Sequence, residues 1–279
     1  MFRNIEQIDT ENTIYPRRVF PYDIFKIQSA LGYKMNHCDL ETGVCSVATD
    51  HLANTNEIET KQVEGSIYYI GDPMCSWCWG ISPAIEELEG YAKQHHIDFD
   101  IVVGGLRAGG GDAWDERFKT FLRREWQHIA SVTGQPFGYS LLDKPQFDYD
   151  TEPACRAITV IKHMVHHQLL PDSTVRKAFA LIQRKFYLQG DDPKLEAFYE
   201  SICLSLDIDY PTFLDYFTDE QFKTKVIEEF RFCRQIGVSS FPTVCAVRNN
   251  QLTVIAQGYS SFELMKKKVM TLFELDNKN

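Results

Sequence analysis

Gly71-Asp72-Pro73-Met74-Cys75-Ser76-Trp77-Cys78-Trp79-Gly80 sets two cysteines, with two residues between them, at a strand-to-helix junction. Upstream lies a short apolar run, Ser66-Ile67-Tyr68-Tyr69-Ile70, bounded by Gly65 and Gly71. Downstream, from Pro83 to Gln94, Ile85, Leu88 and Tyr91 recur at the spacing of a helix that packs on a sheet. Three readings of the cysteine pair are open: a redox dithiol, half of a zinc site, or two inert thiols. No second pair of cysteines has the same spacing, which weakens zinc.

The strand and helix continue into Ile97-Asp98-Phe99-Asp100-Ile101-Val102-Val103, a second strand ending at Gly104-Gly105. Strand, helix and strand within so short a span make a βαβ unit, with parallel strands and a right-handed crossover. A cysteine pair of this spacing beside a βαβ unit is the pattern of a thioredoxin-like redox motif. The glycine-rich run Gly104 to Gly111 lacks the Gly-Lys-Ser/Thr ending of a phosphate loop. It is expected to be a mobile exit from the sheet, or else a rim where backbone approaches substrate.

From Asp112 to Asp219 strand signals fade and helical periodicity takes over. Helices are expected over Trp114–Thr133, Pro153–Gln168, Ser173–Leu188 and Lys194–Leu206, with Thr151 as an N-cap. Asp191-Asp192-Pro193 and Asp209-Tyr210-Pro211 read as breaks between them. The block's aromatics are expected in the core. His163 and His167 have a metal pair's spacing without a carboxylate to match, so packed or solvated histidines are expected and no metal is assigned. Asp219–Ile236 reads as a helix stopped by Gly237. Val238 to Val247 runs into a strand, Asn249-Asn250 turns it, Leu252–Ala256 returns antiparallel, and Ser261–Phe273 is a last helix.

The order is β-α-β, helical block, α-β-β-α. The expected fold class is α/β: a thioredoxin-like fold with a large all-helical insertion and an irregular N-terminal extension. The division is residues 1–64, an extension with a C-x6-C pair; 65–111 with 219–279, the thioredoxin-like domain; and 112–218, the inserted helical domain. Cys38 and Cys45 in the extension are read as a secondary redox pair, as half of a metal site, or as two plain thiols.

Bulk properties narrow the function. The chain has 279 residues, 44% of them hydrophobic, and a formal net charge of −10. That balance opposes nucleic-acid or anionic-membrane binding, which needs a basic footprint. The N-terminus lacks the basic start and apolar run of a secretory signal. No uninterrupted apolar stretch reaches the roughly 18 residues of a membrane span. A soluble cytoplasmic protein is the expectation, with most of its eight cysteines as buried free thiols.

Asp72-Pro73-Met74-Cys75-Ser76-Trp77-Cys78-Trp79-Gly80, taken with Gly237-Val238-Ser239-Ser240-Phe241-Pro242-Thr243, resembles the DsbA-like protein-disulfide oxidoreductases. The similarity is greater to their cytoplasmic FrnE-like branch, which borders the kappa-class glutathione transferases. It spans about Ser66 to Phe273 and leaves residues 1–64 outside. The resemblance implies Cys75 as nucleophile, Cys78 as resolving thiol and Pro242 as a cis-proline facing them. It also implies exchange with a protein or small-molecule disulfide, and no bound cofactor, with glutathione open as a co-substrate. Pro73, Met74, Trp77, Trp79, Phe241 and Thr243 are the expected substrate contacts.

The chemistry asks for these residue types. Only a thiolate attacks a disulfide, and a cysteine at a helix N-terminus has exposed N–H groups and the helix dipole to favour negative charge. Cys155, in the first turn of its own helix, is expected to share that advantage, whereas Cys203, Cys233 and Cys245 are expected in the core. Two other functions stay open. One is a kappa-class-like glutathione transferase or isomerase, a family that usually presents serine at the nucleophile's position. The other is a peptide-binding, chaperone-like module without redox turnover.

Overall fold

The computed structural model describes residues 65–275. The extension 1–64, with Cys38 and Cys45, lies outside the described residues. β1 (Ser66–Gly71), α1 (Ser76–Gln94) and β2 (Asp98–Val103) form the first unit, with β1 and β2 parallel and Ile67 opposite Phe99. The helices α2 (Glu116–Thr133), α3 (Glu152–His166), α4 (Thr174–Arg184), α5 (Glu200–Ser205) and α6 (Tyr210–Thr218) follow. The chain then returns through α7 (Glu220–Gln235), β3 (Thr243–Arg248), β4 (Gln251–Gln257) and α8 (Phe262–Phe273).

The sheet order is β2-β1-β3-β4, with β3 antiparallel to β1 and to β4. Asn249 and Asn250 have φ of 51° and 59°, the left-handed pair that a tight hairpin requires and asparagine tolerates. Every residue of β1 is buried. Alternate side chains leave opposite faces of a strand. Ile67 and Tyr69 join a cluster containing Ile85 and Leu88 of α1, while Tyr68 and Ile70 join Phe232 and Cys233 of α7.

The helix α1 starts directly after the turn that follows β1, as expected, so Pro83 lies in its interior. Proline at that position removes the N–H that would meet the Trp79 carbonyl one turn earlier. The Ser82 hydroxyl and the Gln135 amide donate to that carbonyl instead, at 2.9 and 3.0 Å. The turn after the dithiol thus stays helical, with its freed acceptor satisfied.

Three expectations in the helical block are modified. Asp209-Tyr210-Pro211 does separate helices, and it opens α6, a helix beyond the four expected: the Asp209 side chain accepts the Thr212 N–H at 3.0 Å, and proline occupies the first turn. The stretch Lys194–Leu206 divides into a 3-10 turn, Glu196–Phe198, and the short α5. After α4 the chain widens into a π turn, Lys185–Gln189, ended by Gly190 at φ 72°. Thr151 is the N-cap of α3, as expected, but its hydroxyl accepts the Arg107 N–H at 3.1 Å and not an N–H of the helix.

That last bond belongs to a set holding the glycine-rich run, which is pinned instead of forming a free exit. Leu106 N–H reaches Asp72 at 2.6 Å, Gly109 N–H reaches Asp150 at 2.8 Å and Gly111 N–H reaches Asp148 at 3.0 Å. The helical block also shares the sheet's core: Trp126, Phe179, Phe186 and Tyr187 lie in one buried cluster with Ile67, Tyr69 and Trp79.

Candidate active site

Cys75 is the N-cap of α1, with φ −85° and ψ 120°. No acidic residue lies in the helix's first turn, so nothing there opposes the positive end of the dipole. The Cys75 N–H donates to the Asp72 carbonyl at 3.0 Å, and the Trp79 N–H donates to the Cys75 carbonyl at 3.0 Å. Both fix the turn that presents the thiol. The Cys75 thiol donates to the Phe241 carbonyl at 3.5 Å, and the Phe241–Pro242 peptide is cis. Pro242 is held in turn by the Gly258 N–H, 2.8 Å from its carbonyl.

Cys78 lies one turn further in and is fully buried. The Asp72 N–H points at its sulfur, 3.5 Å away. Burial and the neighbouring Cys75 sulfur push the Cys78 thiol well above its ordinary range, while the Asp72 N–H and the Tyr69 hydroxyl act against them. Both thiols are buried, Cys75 at 4% exposure and Cys78 at 0%.

Sequence reasoning passed over Asp72 as a site residue. Its carboxylate has no solvent exposure and accepts from Met74 N–H at 2.8 Å, Leu106 N–H at 2.6 Å and the Cys155 thiol at 3.5 Å. Burial raises its carboxyl above the ordinary carboxylate range, and those donors work against the rise. Tyr149 was passed over too: its hydroxyl donates to the Met74 carbonyl at 2.8 Å. Both polar groups of the residue preceding Cys75 are thereby fixed. The sequence's one mark at Asp72 is an acid directly after an apolar strand and ahead of the dithiol, which alone assigns it no role.

The six expected substrate contacts divide by burial, two half-buried and four buried. Trp77 is half-buried and contacts the rings of His128 and Tyr259, at 5.8 and 6.2 Å, and Phe241 is half-buried as well. Pro73, Met74, Trp79 and Thr243 are buried and face inward. The Trp79 indole donates to the Pro136 carbonyl at 2.9 Å, and the Thr243 hydroxyl donates to Ser240 at 2.7 Å. The lowered thiol expected at Cys155 is a further correction. Burial, with the Asp72 carboxylate beside it, pushes that thiol well up despite its place in a first helical turn.

Cys203, Cys233 and Cys245 are buried in helices and strand. The His163 ring packs on His167, Tyr216 and Phe222, with centroids 4.2, 5.1 and 5.0 Å away. Among the described residues no group of three or more histidine, cysteine, aspartate or glutamate side chains gathers to hold a metal. No helix among them is long and apolar enough to cross a membrane.

A dithiol on a helix N-terminus, facing a cis X–Pro peptide in a βαβ, helical insert, αββα frame, defines a DsbA-like thioredoxin-fold protein. Solved structures bear this out. A candidate protein disulfide isomerase from Nitrosomonas europaea is 27% identical, with a TM-score of 0.66 over 75% of this chain and 98% of its own. The cytosolic disulfide reductase DsbM from Pseudomonas aeruginosa shares the fold at 22% identity, with a TM-score of 0.58 over 76% of this chain and all of its own. DsbM has also been solved with glutathione (GSH), at a TM-score of 0.55. In sequence, the ClpXP adapter protein SpxH of Shouchella clausii is 27% identical over 70 residues, 25% of this chain and 22% of that protein. The match thus spans about a fifth of that relative's length. No family model matches the chain.

Proposed function

We propose that the protein is a thiol–disulfide oxidoreductase in which Cys75 is the nucleophile and Cys78 the resolving thiol. One observation carries the reading: Cys75 caps a helix free of acids in its first turn, and its sulfur lies 3.5 Å from the carbonyl of the cis Phe241–Pro242 peptide. A partly buried helix N-terminus favours negative charge by up to about 2 kcal/mol. That preference supports attack by a thiolate.

In the reducing direction the Cys75 thiolate attacks one sulfur of a substrate disulfide. A Cys75–substrate bond forms, the substrate's S–S bond breaks, and the other substrate sulfur leaves as a thiolate that takes up a proton. Cys78 then gives up its proton and attacks the Cys75 sulfur, forming the Cys75–Cys78 disulfide and releasing the second substrate thiol. Two electrons pass from the dithiol to the substrate, and the reverse sequence oxidises a substrate dithiol. Trp77, Tyr259 and Phe241 supply the open apolar contact beside the sulfur, which suits a disulfide-bearing protein or small molecule. Glutathione is the proposed small-molecule thiol partner, and the cytoplasm the proposed compartment. The fold shared with a cytosolic reductase solved with glutathione supports both.

Equilibration in glutathione buffers, insulin reduction and trapping test the assignment. The wild type should form one Cys75–Cys78 disulfide, Cys75→Ser should drop to the uncatalysed rate, and Cys78→Ser should accumulate a mixed disulfide through Cys75. Full turnover by Cys75→Ser, or no disulfide at any glutathione ratio, would sink it.

A further inference from the structure

The proposed disulfide exchange uses two thiols, yet a third is wired to them. Cys155 is fully buried in the first turn of α3 and held there by its own backbone, its N–H meeting the Thr151 carbonyl at 3.1 Å. Its thiol donates to Oδ2 of Asp72 at 3.5 Å. Asp72 then touches both halves of the dithiol. Its carbonyl accepts the Cys75 N–H at 3.0 Å, its Oδ1 accepts the Met74 N–H at 2.8 Å, and its own N–H meets the Cys78 sulfur at 3.5 Å.

We propose that Cys155 is a positioning residue of the redox centre, acting through Asp72 to set the dithiol–disulfide equilibrium of Cys75 and Cys78. The inference rests on the thiol–disulfide reading above. The physical reason lies in the carboxylate's charge. A buried carboxylate stays ionised only to the extent that donors hold it, and negative charge beside the dithiol disfavours a thiolate there. Removing one of a small set of donors lets Asp72 keep its proton more readily. The reduced, thiolate-bearing form then gains relative to the disulfide, and the centre becomes more oxidising.

The experiment measures the equilibrium constant of the full-length protein with glutathione, alongside denaturant unfolding of the reduced form. Cys155→Ala should shift the constant about tenfold toward the dithiol, equivalent to about 30 mV. Cys155→Ser, which keeps a hydroxyl donor, should restore it to within about twofold of wild type, the scatter of independent sites. If Cys155→Ala fails to fold, Cys155→Val, which refills the space without a donor, carries the same expectation. In an Asp72→Asn background Cys155→Ala should add no further shift. A purely structural Cys155 would lower the unfolding midpoint and leave the equilibrium constant in place, which overturns the proposal. So would a Cys155→Ala shift that persists undiminished with Asp72→Asn. A wild type with no Cys75–Cys78 disulfide in any buffer would instead remove the underlying function, so the two failures are told apart.

Discussion

A Cβ on Gly104 would stand 2.1 Å from the ring of Phe241, the residue whose carbonyl meets the Cys75 thiol. No rotation of a methyl relieves that contact, so either the ring or the end of β2 must move. Gly104→Ala is expected to destabilise by about 1–3 kcal/mol, the usual cost of overpacking. Turnover of insulin should fall about tenfold or more, since small displacements at a reacting centre carry large rate penalties. Gly90→Ala is the matched control: a Cβ there meets nothing within 4 Å, and the position lies inside α1. It should gain about 0.5–1 kcal/mol and leave turnover alone. Urea unfolding and the insulin assay read both variants, and equal behaviour of the two would refute the packing argument. The cis bond at Pro242 was expected only through the family resemblance, whereas the Cys75–Cys78 pair was legible from its spacing. Asp72 was not, because its role comes from burial and from partners 34 and 83 positions away.

The elements are tied together by a second buried polar group, away from the dithiol. Glu229 on α7 meets Lys162 of α3 at 2.7 Å, the Thr159 hydroxyl at 2.8 Å and the Val103 N–H at the end of β2 at 3.0 Å. Burial lowers the Lys162 ammonium to about 8, against the pull of Glu229. Breaking one side of a buried pair leaves a charge uncompensated. Lys162→Met should therefore cost about 3–5 kcal/mol, and adding Glu229→Gln should recover part of it. Chemical denaturation of the single and double variants measures this, and a double variant less stable than the additive sum would contradict it. At this scale the sheet and its flanking helices were readable from periodicity and from the glycines and asparagines that end them. The short elements were not. Asp-Tyr-Pro reads equally as a stop or a start, and only the Asp209 side chain on the Thr212 N–H decides for α6. What lets α1 carry Pro83 in its interior was not readable either, because the partners for the Trp79 carbonyl include Gln135, from a distant segment.

Across the whole molecule, the insert is a separate block in sequence order but not in packing. Trp126 of α2 and Phe186 and Tyr187 of the π turn lie in the same buried cluster as Tyr69 and Ile85. Tyr149 reaches from the insert to the carbonyl of Met74, and Cys155 reaches to Asp72. Helices that bury their apolar faces on the sheet, and complete the polar shell of the dithiol, have little to hold them once the sheet melts. The two parts should then unfold as one cooperative unit, despite a length at which intermediates are common. The chain carries its own reporters: Cys203 on α5 in the insert is 1% exposed, and Cys245 on β3 in the sheet is 0% exposed. Pulsed thiol labelling across a urea series, read peptide by peptide by mass spectrometry, should give the same midpoint for both. Earlier labelling of Cys203 would mean that the insert melts on its own, and with it that the support it lends Met74 and Asp72 can be withdrawn while the sheet survives.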